Sequence, residues 1–136
     1  MIDDVVLAKL AVLHRCLHRI QSKTAGESDT VNDIDIQDIV VLNLQRAIQA
    51  VIDLAAHLIV VHDWGLPASL KENFSLLARQ GVIDQNLCRH LEAMVGFRNI
   101  AVHEYQALNV DILKRILRER LEDFEAYERA VKNFLH

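Results

Sequence analysis

The sequence predicts an all-α protein, and three observations support this fold class. The chain has 136 residues with one Pro and four Gly, so few residues are present that interrupt helices. Aromatic residues, which favour strands, make up only 5%. Apolar residues recur at intervals of three and four over most of the chain. Because 51% of the residues are hydrophobic, the length suits a single domain, residues 1–136, with a substantial core.

The first helix is predicted over residues 2–23, and a polar connection follows it. The apolar residues of this helix share one stripe: Val6, Leu10, Leu13, Leu17 and Ile20. His14 and His18 are spaced as a metal-binding pair would be, but no acid or thiol accompanies them, so we expect no metal there. Residues 24–35 are rich in Gly, Ser, Asp, Asn and Thr without a period. They predict an exposed, mobile connection.

The second helix, residues 36–62, is predicted to be the centre of the fold. Asp35 is placed to cap it, and residues 47–61 are apolar nearly all round, as in a helix that several neighbours bury. His57 lies in this apolar half, where an interior histidine with its hydrogen bonds satisfied is expected. Residues 64–67, Trp-Gly-Leu-Pro, end the helix.

Three further helices are predicted after this break. Pro67 suits the first position of a short helix that runs to about Arg79, and Gly81 suits its C-terminal end. Asp84 caps a fourth helix, residues 85 to about 102. After a turn at residues 106–108, Asn109 caps a last long helix in which a bend near Leu121 is one option.

The last helix carries four cations: Lys114, Arg115, Arg118 and Arg120. Acidic residues alternate with them, which favours a solvated helix face over a strip that binds nucleic acid. The chain as a whole has a net charge of −4, so any contact with nucleic acid must come from a local patch.

The cysteines and the first residues of the chain indicate the cellular compartment of the protein. Cys16 and Cys88 lie within helical patterns without metal-ligand spacing, so we expect buried, reduced thiols. The chain begins Met-Ile-Asp-Asp without a basic segment, and no uncharged apolar run approaches the roughly 20 residues of a membrane span. A cytoplasmic protein without membrane association is therefore expected.

Chemically reactive side chains are concentrated in residues 98–105, which read Arg-Asn-Ile-Ala-Val-His-Glu-Tyr. Arg98 is a permanent planar cation suited to phosphate oxygens. His103 can exchange protons near neutral pH. Together they indicate a site that acts on a phosphate ester, whereas the alternative is a helix end at which Arg and His only complement the helix dipole.

The spacing of the two residues raises a geometric problem. Residues five apart on a regular helix point about 140° away from each other. Arg98 and His103 therefore meet only if the helix frays after Val102, if the Arg side chain wraps round, or if a second subunit completes the site. The third route predicts a homodimer.

The spacing Arg, four residues, His, one residue, Tyr resembles the motif of the HEPN family, in particular the toxin-type branch found beside minimal nucleotidyltransferases. Further similar segments are Asn-Leu-Gln-Arg-Ala-Ile at 43–48, Ile-Asp-Leu-Ala at 52–55, and residues 66–81. The resemblance implies an up-and-down bundle of four or five helices that forms a dimer. It also implies RNA as the substrate, cleaved without a metal ion or other cofactor.

The resemblance also implies roles for individual residues. Arg98 and His103 are the catalytic residues at a dimer cleft, and Tyr105 accepts AMP from a cognate nucleotidyltransferase that acts as antitoxin. The residue types agree with this activity, because an imidazole can move protons and a guanidinium can stabilise the phosphorane while the RNA 2′-OH attacks. Two interpretations of Asn99 stay open. It orients a phosphate or the His103 side chain, or it is a surface amide without a functional role. The alternative function is a non-catalytic subunit that binds a nucleotide or scaffolds the nucleotidyltransferase.

Overall fold

Six α-helices make up the fold in a computed structural model that describes residues 2–136, and no strand occurs within that range. The all-α prediction is confirmed. The helices are α1 (Asp4–Thr24), α2 (Ile34–His62), α3 (Glu72–Arg79), α4 (Gln85–His103), α5 (Val110–Glu119) and α6 (Glu122–Leu135). Two short 3₁₀ turns, Ser28–Asn32 and Tyr105–Ala107, lie between them.

The central helix is α2, as the sequence predicts. It has fourteen buried residues, and α1 packs antiparallel along it, with Lys9 beside Asp53 and Asp3 beside His57. On the other side of the fold, the buried Tyr127 of α6 donates a hydrogen bond to the carbonyl of Val51. By length and composition α2 is the one helix in the described range that would suit a membrane span, but 56% of its most apolar window is buried inside the protein. This burial is typical of a core helix.

The connection before α2 differs from the prediction. It is not fully exposed, because the 3₁₀ turn inserts Val31 into the core with 1% of its surface accessible. The helix also begins two residues earlier than expected, and Asp33 caps it instead of Asp35. The Asp33 carboxylate accepts hydrogen bonds from the backbone N–H groups of Asp35 and Ile36, which satisfies two of the free donors of the first turn.

The start of α3 was also predicted incorrectly. The helix begins at Glu72 and not at Pro67, and the backbone N–H of Glu72 donates a hydrogen bond to the Ser69 hydroxyl. The end of α3 agrees with the prediction. Gly81 follows it with a φ of +77°, a left-handed conformation that glycine adopts without strain.

The helix with the motif, α4, begins as predicted, since the Asp84 carboxylate accepts a hydrogen bond from the Leu87 N–H at 2.7 Å. It ends at His103, one residue later than expected. Asn109 caps α5 as predicted. The last predicted helix is divided, because the chain turns at Arg120 and Leu121 and separates α5 from α6.

Candidate functional site

Arg98 lies on α4 with its guanidinium directed toward α2. Its Nη2 donates to Gln49 Oε1 at 2.8 Å, and its Nη1 donates to Asn99 Oδ1 at 3.1 Å. The Nε atom is buried and has no hydrogen-bond partner in the described part of the chain. Two contacts therefore fix the orientation of the guanidinium, and one N–H group on each of Nη1 and Nη2 stays unused, as a phosphate-binding arginine requires.

Gln49 is itself held in one orientation by the residues behind it. Its Nε2 donates to Asp53 Oδ1 at 2.8 Å, and the other oxygen of Asp53 accepts from Lys9 Nζ at 3.1 Å. If the Gln49 amide were flipped, its NH₂ group would face the donors of Arg98 and its oxygen would face the carboxylate. A continuous set of polar contacts thus runs from Lys9 on α1 through α2 to Arg98.

His103 is exposed at the end of α4, and no hydrogen bond involves its side chain among residues 2–136. Because α4 stays helical through His103, the helix does not fray between the two motif residues. The Arg98 side chain does not wrap round either, since it binds Gln49 and Asn99. Within one chain, Arg98 and His103 therefore share no hydrogen bond, and neither fraying of the helix nor wrapping of the Arg98 side chain is seen. Completion of the site by a second subunit stays a prediction.

Asn99 contacts Arg98 and makes no hydrogen bond with His103 in the described residues. The interaction is between adjacent residues, and the Asn99 amide oxygen accepts one guanidinium N–H. Its position therefore favours an effect on Arg98 over the orientation of His103, which was one of the roles considered for it.

Tyr105 begins the 3₁₀ turn after α4 and is 39% exposed. Its hydroxyl donates a hydrogen bond to the carboxylate of Asp38, an exposed residue in the second turn of α2. Partial burial and this carboxylate raise the pKa of Tyr105 to about 12. The phenol is thus accessible to another enzyme and stays protonated at neutral pH, beside a group that can accept its proton.

Several of the other histidines have structural partners, and both cysteines are buried. His57 pairs with Asp3 at 2.7 Å, so its hydrogen bond is satisfied as predicted, although the His57 side chain is partly buried and not fully interior. His14 pairs with Glu128 of α6. Cys16 and Cys88 are free and buried as expected, and burial together with Glu92 raises the pKa of Cys88 to about 11, which disfavours a nucleophilic thiolate. Within residues 2–136, no three His, Cys, Asp or Glu side chains are grouped as metal ligands.

The three cations on α5 are all engaged with neighbouring side chains, and Arg120 lies in the turn after this helix. Lys114 pairs with Asp29 at 3.3 Å, Arg115 pairs with Glu119 at 2.9 Å, and Arg118 contacts the Ser28 hydroxyl. These contacts support the interpretation of α5 as a solvated face.

Two residues near the motif were missed by the sequence reasoning, Gln49 and Asp38. Both lie on α2, far from the motif in sequence. For Gln49 a signal existed, because Gln49 and Asp53 are two polar residues, four apart, within the apolar half of the helix. For Asp38 no local pattern indicates a contact with a residue 67 positions away.

Comparison with known proteins identifies relatives over nearly the whole chain. The chain is 42% identical over 130 residues to the mRNA nuclease HepT of Shewanella oneidensis, a match that covers 96% of this chain and 98% of the relative. A solved structure of a tri-AMPylated Shewanella oneidensis HEPN toxin in complex with MNT antitoxin superposes with a TM-score of 0.91 at 42% identity, covering 96% of this chain and 98% of that one.

A second solved structure, of a toxin–antitoxin with AMP-PNP, matches with a TM-score of 0.89 at 41% identity and covers 95% of this chain and 98% of the other. The family described as Ribonuclease HepT-like matches residues 13–131, which include the whole motif. The resemblance that the sequence suggested is thereby confirmed: this chain belongs to the ribonuclease HepT-like family.

Proposed function

We propose that this protein is the toxin of a bacterial toxin–antitoxin pair, a cytoplasmic ribonuclease that cleaves RNA without a metal ion. Arg98 and His103 are its catalytic residues, and each active site lies in a cleft between two copies of the chain. A minimal nucleotidyltransferase is its antitoxin and inactivates it by transferring AMP to Tyr105. Membership of the ribonuclease HepT-like family supports the ribonuclease activity. One relative is an mRNA nuclease, which supports RNA as the substrate. Another is an AMPylated toxin in complex with its antitoxin, which supports the nucleotidyltransferase partner.

The observation that carries the shared cleft is the separation of the two motif residues in one chain. Arg98 faces α2, whereas His103 is exposed at the helix end. A two-fold axis beside α4 brings His103 of one copy toward Arg98 of the other. The exposed apolar side chains Ile100 and Val102, each about 40% accessible, lie between the two motif residues and favour contact with another protein surface there.

The chemistry follows from the two residue types. His103 removes the proton of an RNA 2′-OH, the O2′ atom bonds to the adjacent phosphorus, and the bond from phosphorus to the leaving O5′ breaks. The proton then passes from His103 to that oxygen. Arg98 stabilises the negative charge on the pentacoordinate phosphorus through its unused N–H groups. The products are a 2′,3′-cyclic phosphate end and a 5′-OH end.

Inactivation uses the exposed hydroxyl of Tyr105. This oxygen bonds to the α-phosphorus of ATP, pyrophosphate leaves, and Asp38 accepts the phenolic proton. The attached AMP adds bulk and negative charge two residues from His103, so it competes with the RNA phosphate and blocks the cleft. Tyr105→Phe is expected to keep ribonuclease activity and to escape this inactivation.

Incubation of the purified protein with total RNA in EDTA tests the activity. Cleavage that persists in EDTA and is lost in Arg98→Ala and in His103→Ala is the expected result. Activity that requires added Mg²⁺, or that survives either substitution, contradicts the mechanism. If the protein binds a nucleotidyltransferase but neither cleaves RNA nor arrests growth when expressed alone, it is a non-catalytic subunit instead.

A further inference from the structure

A basic groove of about 380 Å³ lies along the seam between α1 and α2. Three arginines line it, Arg15 and Arg19 of α1 and Arg46 of α2, and its other lining residues are uncharged. Arg15 and Arg19 are four residues apart, so they lie about 6 Å apart along one side of the helix. All three arginines are exposed.

The groove is unusual in an acidic protein. Residues 5–24 contain four Lys or Arg and no Asp or Glu, whereas the rest of the chain has eleven Lys or Arg against nineteen Asp or Glu. None of the three groove arginines makes a side-chain hydrogen bond or an ion pair within residues 2–136, in contrast to Lys114, Arg115 and Arg118 of α5. The groove is thus a local positive patch whose cations remain available for a ligand.

The groove continues toward the motif. A smaller hollow of about 200 Å³ shares Val12 and Arg46 with it and extends to Lys9, Gln49 and Asp53. Gln49 in turn binds the guanidinium of Arg98 at 2.8 Å. An extended ligand that lies in the groove can therefore reach the residue that contacts Arg98.

We propose that this groove binds the backbone of the single-stranded RNA substrate and guides it to Arg98, an inference that rests on the proposed function. Arginine guanidinium groups bind phosphate oxygens through two parallel hydrogen bonds, and their planar faces stack on unpaired bases. The apolar lining between them, which includes Leu42, suits base faces. RNA fits these features better than an acidic protein surface does, because the groove combines unpaired arginines, an apolar floor and continuity with the motif.

The test measures RNA binding by a triple variant, Arg15→Gln, Arg19→Gln and Arg46→Gln. It is made in a His103→Ala background so that the RNA is not cleaved during the titration. The matched control removes three exposed cations elsewhere, with Arg89→Gln, Arg115→Gln and Arg118→Gln in the same background. The groove arginines are exposed and unpaired, and the control arginines are exposed and have only surface contacts, so both triple variants are expected to show the circular dichroism of the parent.

The groove variant is expected to bind a fluorescent single-stranded RNA at least about tenfold more weakly than the control at low salt. The slope of log affinity against log salt should decrease by about two, since each phosphate contact with a single strand contributes about 0.7. The control should keep both the affinity and the slope. Equal binding by the two triple variants overturns the proposal.

Cleavage by the same variants with His103 intact separates this inference from the proposed function. If the parent cleaves RNA and the groove variant cleaves it as fast as the control, the groove proposal is wrong and the ribonuclease assignment stands. If the parent neither binds nor cleaves RNA, the proposed function fails and the groove proposal fails with it. Unchanged RNA binding with a lost dimer or a lost nucleotidyltransferase complex shows that the groove is a protein interface, which also overturns the proposal.

Discussion

At the scale of single residues, Gln49 determines where the guanidinium of Arg98 lies. Gln49→Leu removes the acceptor for Arg98 Nη2 and the donor to Asp53, so the guanidinium loses its contact with α2. We expect RNA cleavage to slow roughly tenfold or more, because small displacements of a catalytic group are costly. The measurement is the cleavage rate at saturating RNA, together with the thermal midpoint.

Gln45→Leu is the matched control, because Gln45 lies one turn earlier on α2 and does not contact Arg98 within residues 2–136. It should leave the rate unchanged. Cleavage by Gln49→Leu at the parent rate would refute the positioning role.

The Tyr105 hydroxyl provides a second prediction at this scale. Partial burial and the neighbouring Asp38 both disfavour the phenolate and raise the pKa to about 12. Asp38→Asn removes the negative charge, so the pKa of Tyr105 should fall toward its ordinary value of about 10. The chain has only two tyrosines, and burial raises the pKa of Tyr127 still further, so the first tyrosinate formed reports Tyr105.

Ultraviolet absorbance at pH 11 measures this effect. Asp38→Asn should show more tyrosinate than the parent, whereas Asp35→Asn, a nearby change of the same charge, should resemble the parent. Identical titration of the parent and Asp38→Asn would show that the hydrogen bond between Asp38 and Tyr105 does not form in solution.

Reasoning from sequence found the motif residues but not the residues around them. Arg98, His103 and Tyr105 were recognisable because the motif is a local pattern with fixed spacing. Gln49 and Asp38 contact the motif only because α4 and the turn after it pack against α2. Contacts of this kind depend on tertiary packing, which no spacing along the chain encodes.

At the scale of elements, the position of the motif depends on the start of α4. Asp84 caps this helix through the Leu87 N–H, so Asp84→Ala should reduce the free energy of unfolding by about 1 kcal/mol. Asp84→Ser keeps an acceptor at the cap and should restore most of that loss. Urea denaturation followed by circular dichroism measures both variants. Equal stability of Asp84→Ala and the parent would mean that the Asp84 cap does not contribute to the free energy of unfolding.

Helix interiors were predicted more accurately than helix ends. The apolar periodicity of α1, α2 and α4 extends over many residues and is a strong signal. The position of a helix end depends on single hydrogen bonds, and two residues that could each cap the helix often lie within two or three positions of each other. Asp33 and Asp35 are both suitable caps for α2, and only the folded chain shows that Asp33 accepts the bonds. Pro67 likewise suits the first position of a helix, but α3 begins five residues later, at Glu72.

At the scale of the whole molecule, the proposed function requires two copies of the chain. Light scattering should give about twice the 15.5 kDa mass of one chain at micromolar concentration. Ile100→Glu, which places a charge on the exposed apolar surface of α4, should shift the protein toward monomer and reduce cleavage together. The matched control is Leu66→Glu, since Leu66 is 91% exposed and lies outside α4. A monomer that cleaves RNA at the parent rate would contradict the shared cleft.

The most direct test of the shared cleft mixes two inactive variants, Arg98→Ala and His103→Ala, and measures RNA cleavage in EDTA. Each variant alone should be inactive, because every cleft then lacks the same residue. After equal amounts are mixed and the subunits exchange at random, half of the dimers contain one chain of each kind. In such a dimer, one of the two clefts combines the intact Arg98 of one chain with the intact His103 of the other. We expect recovery of about a quarter of the parent activity. Mixed dimers that form and stay inactive would contradict the shared cleft.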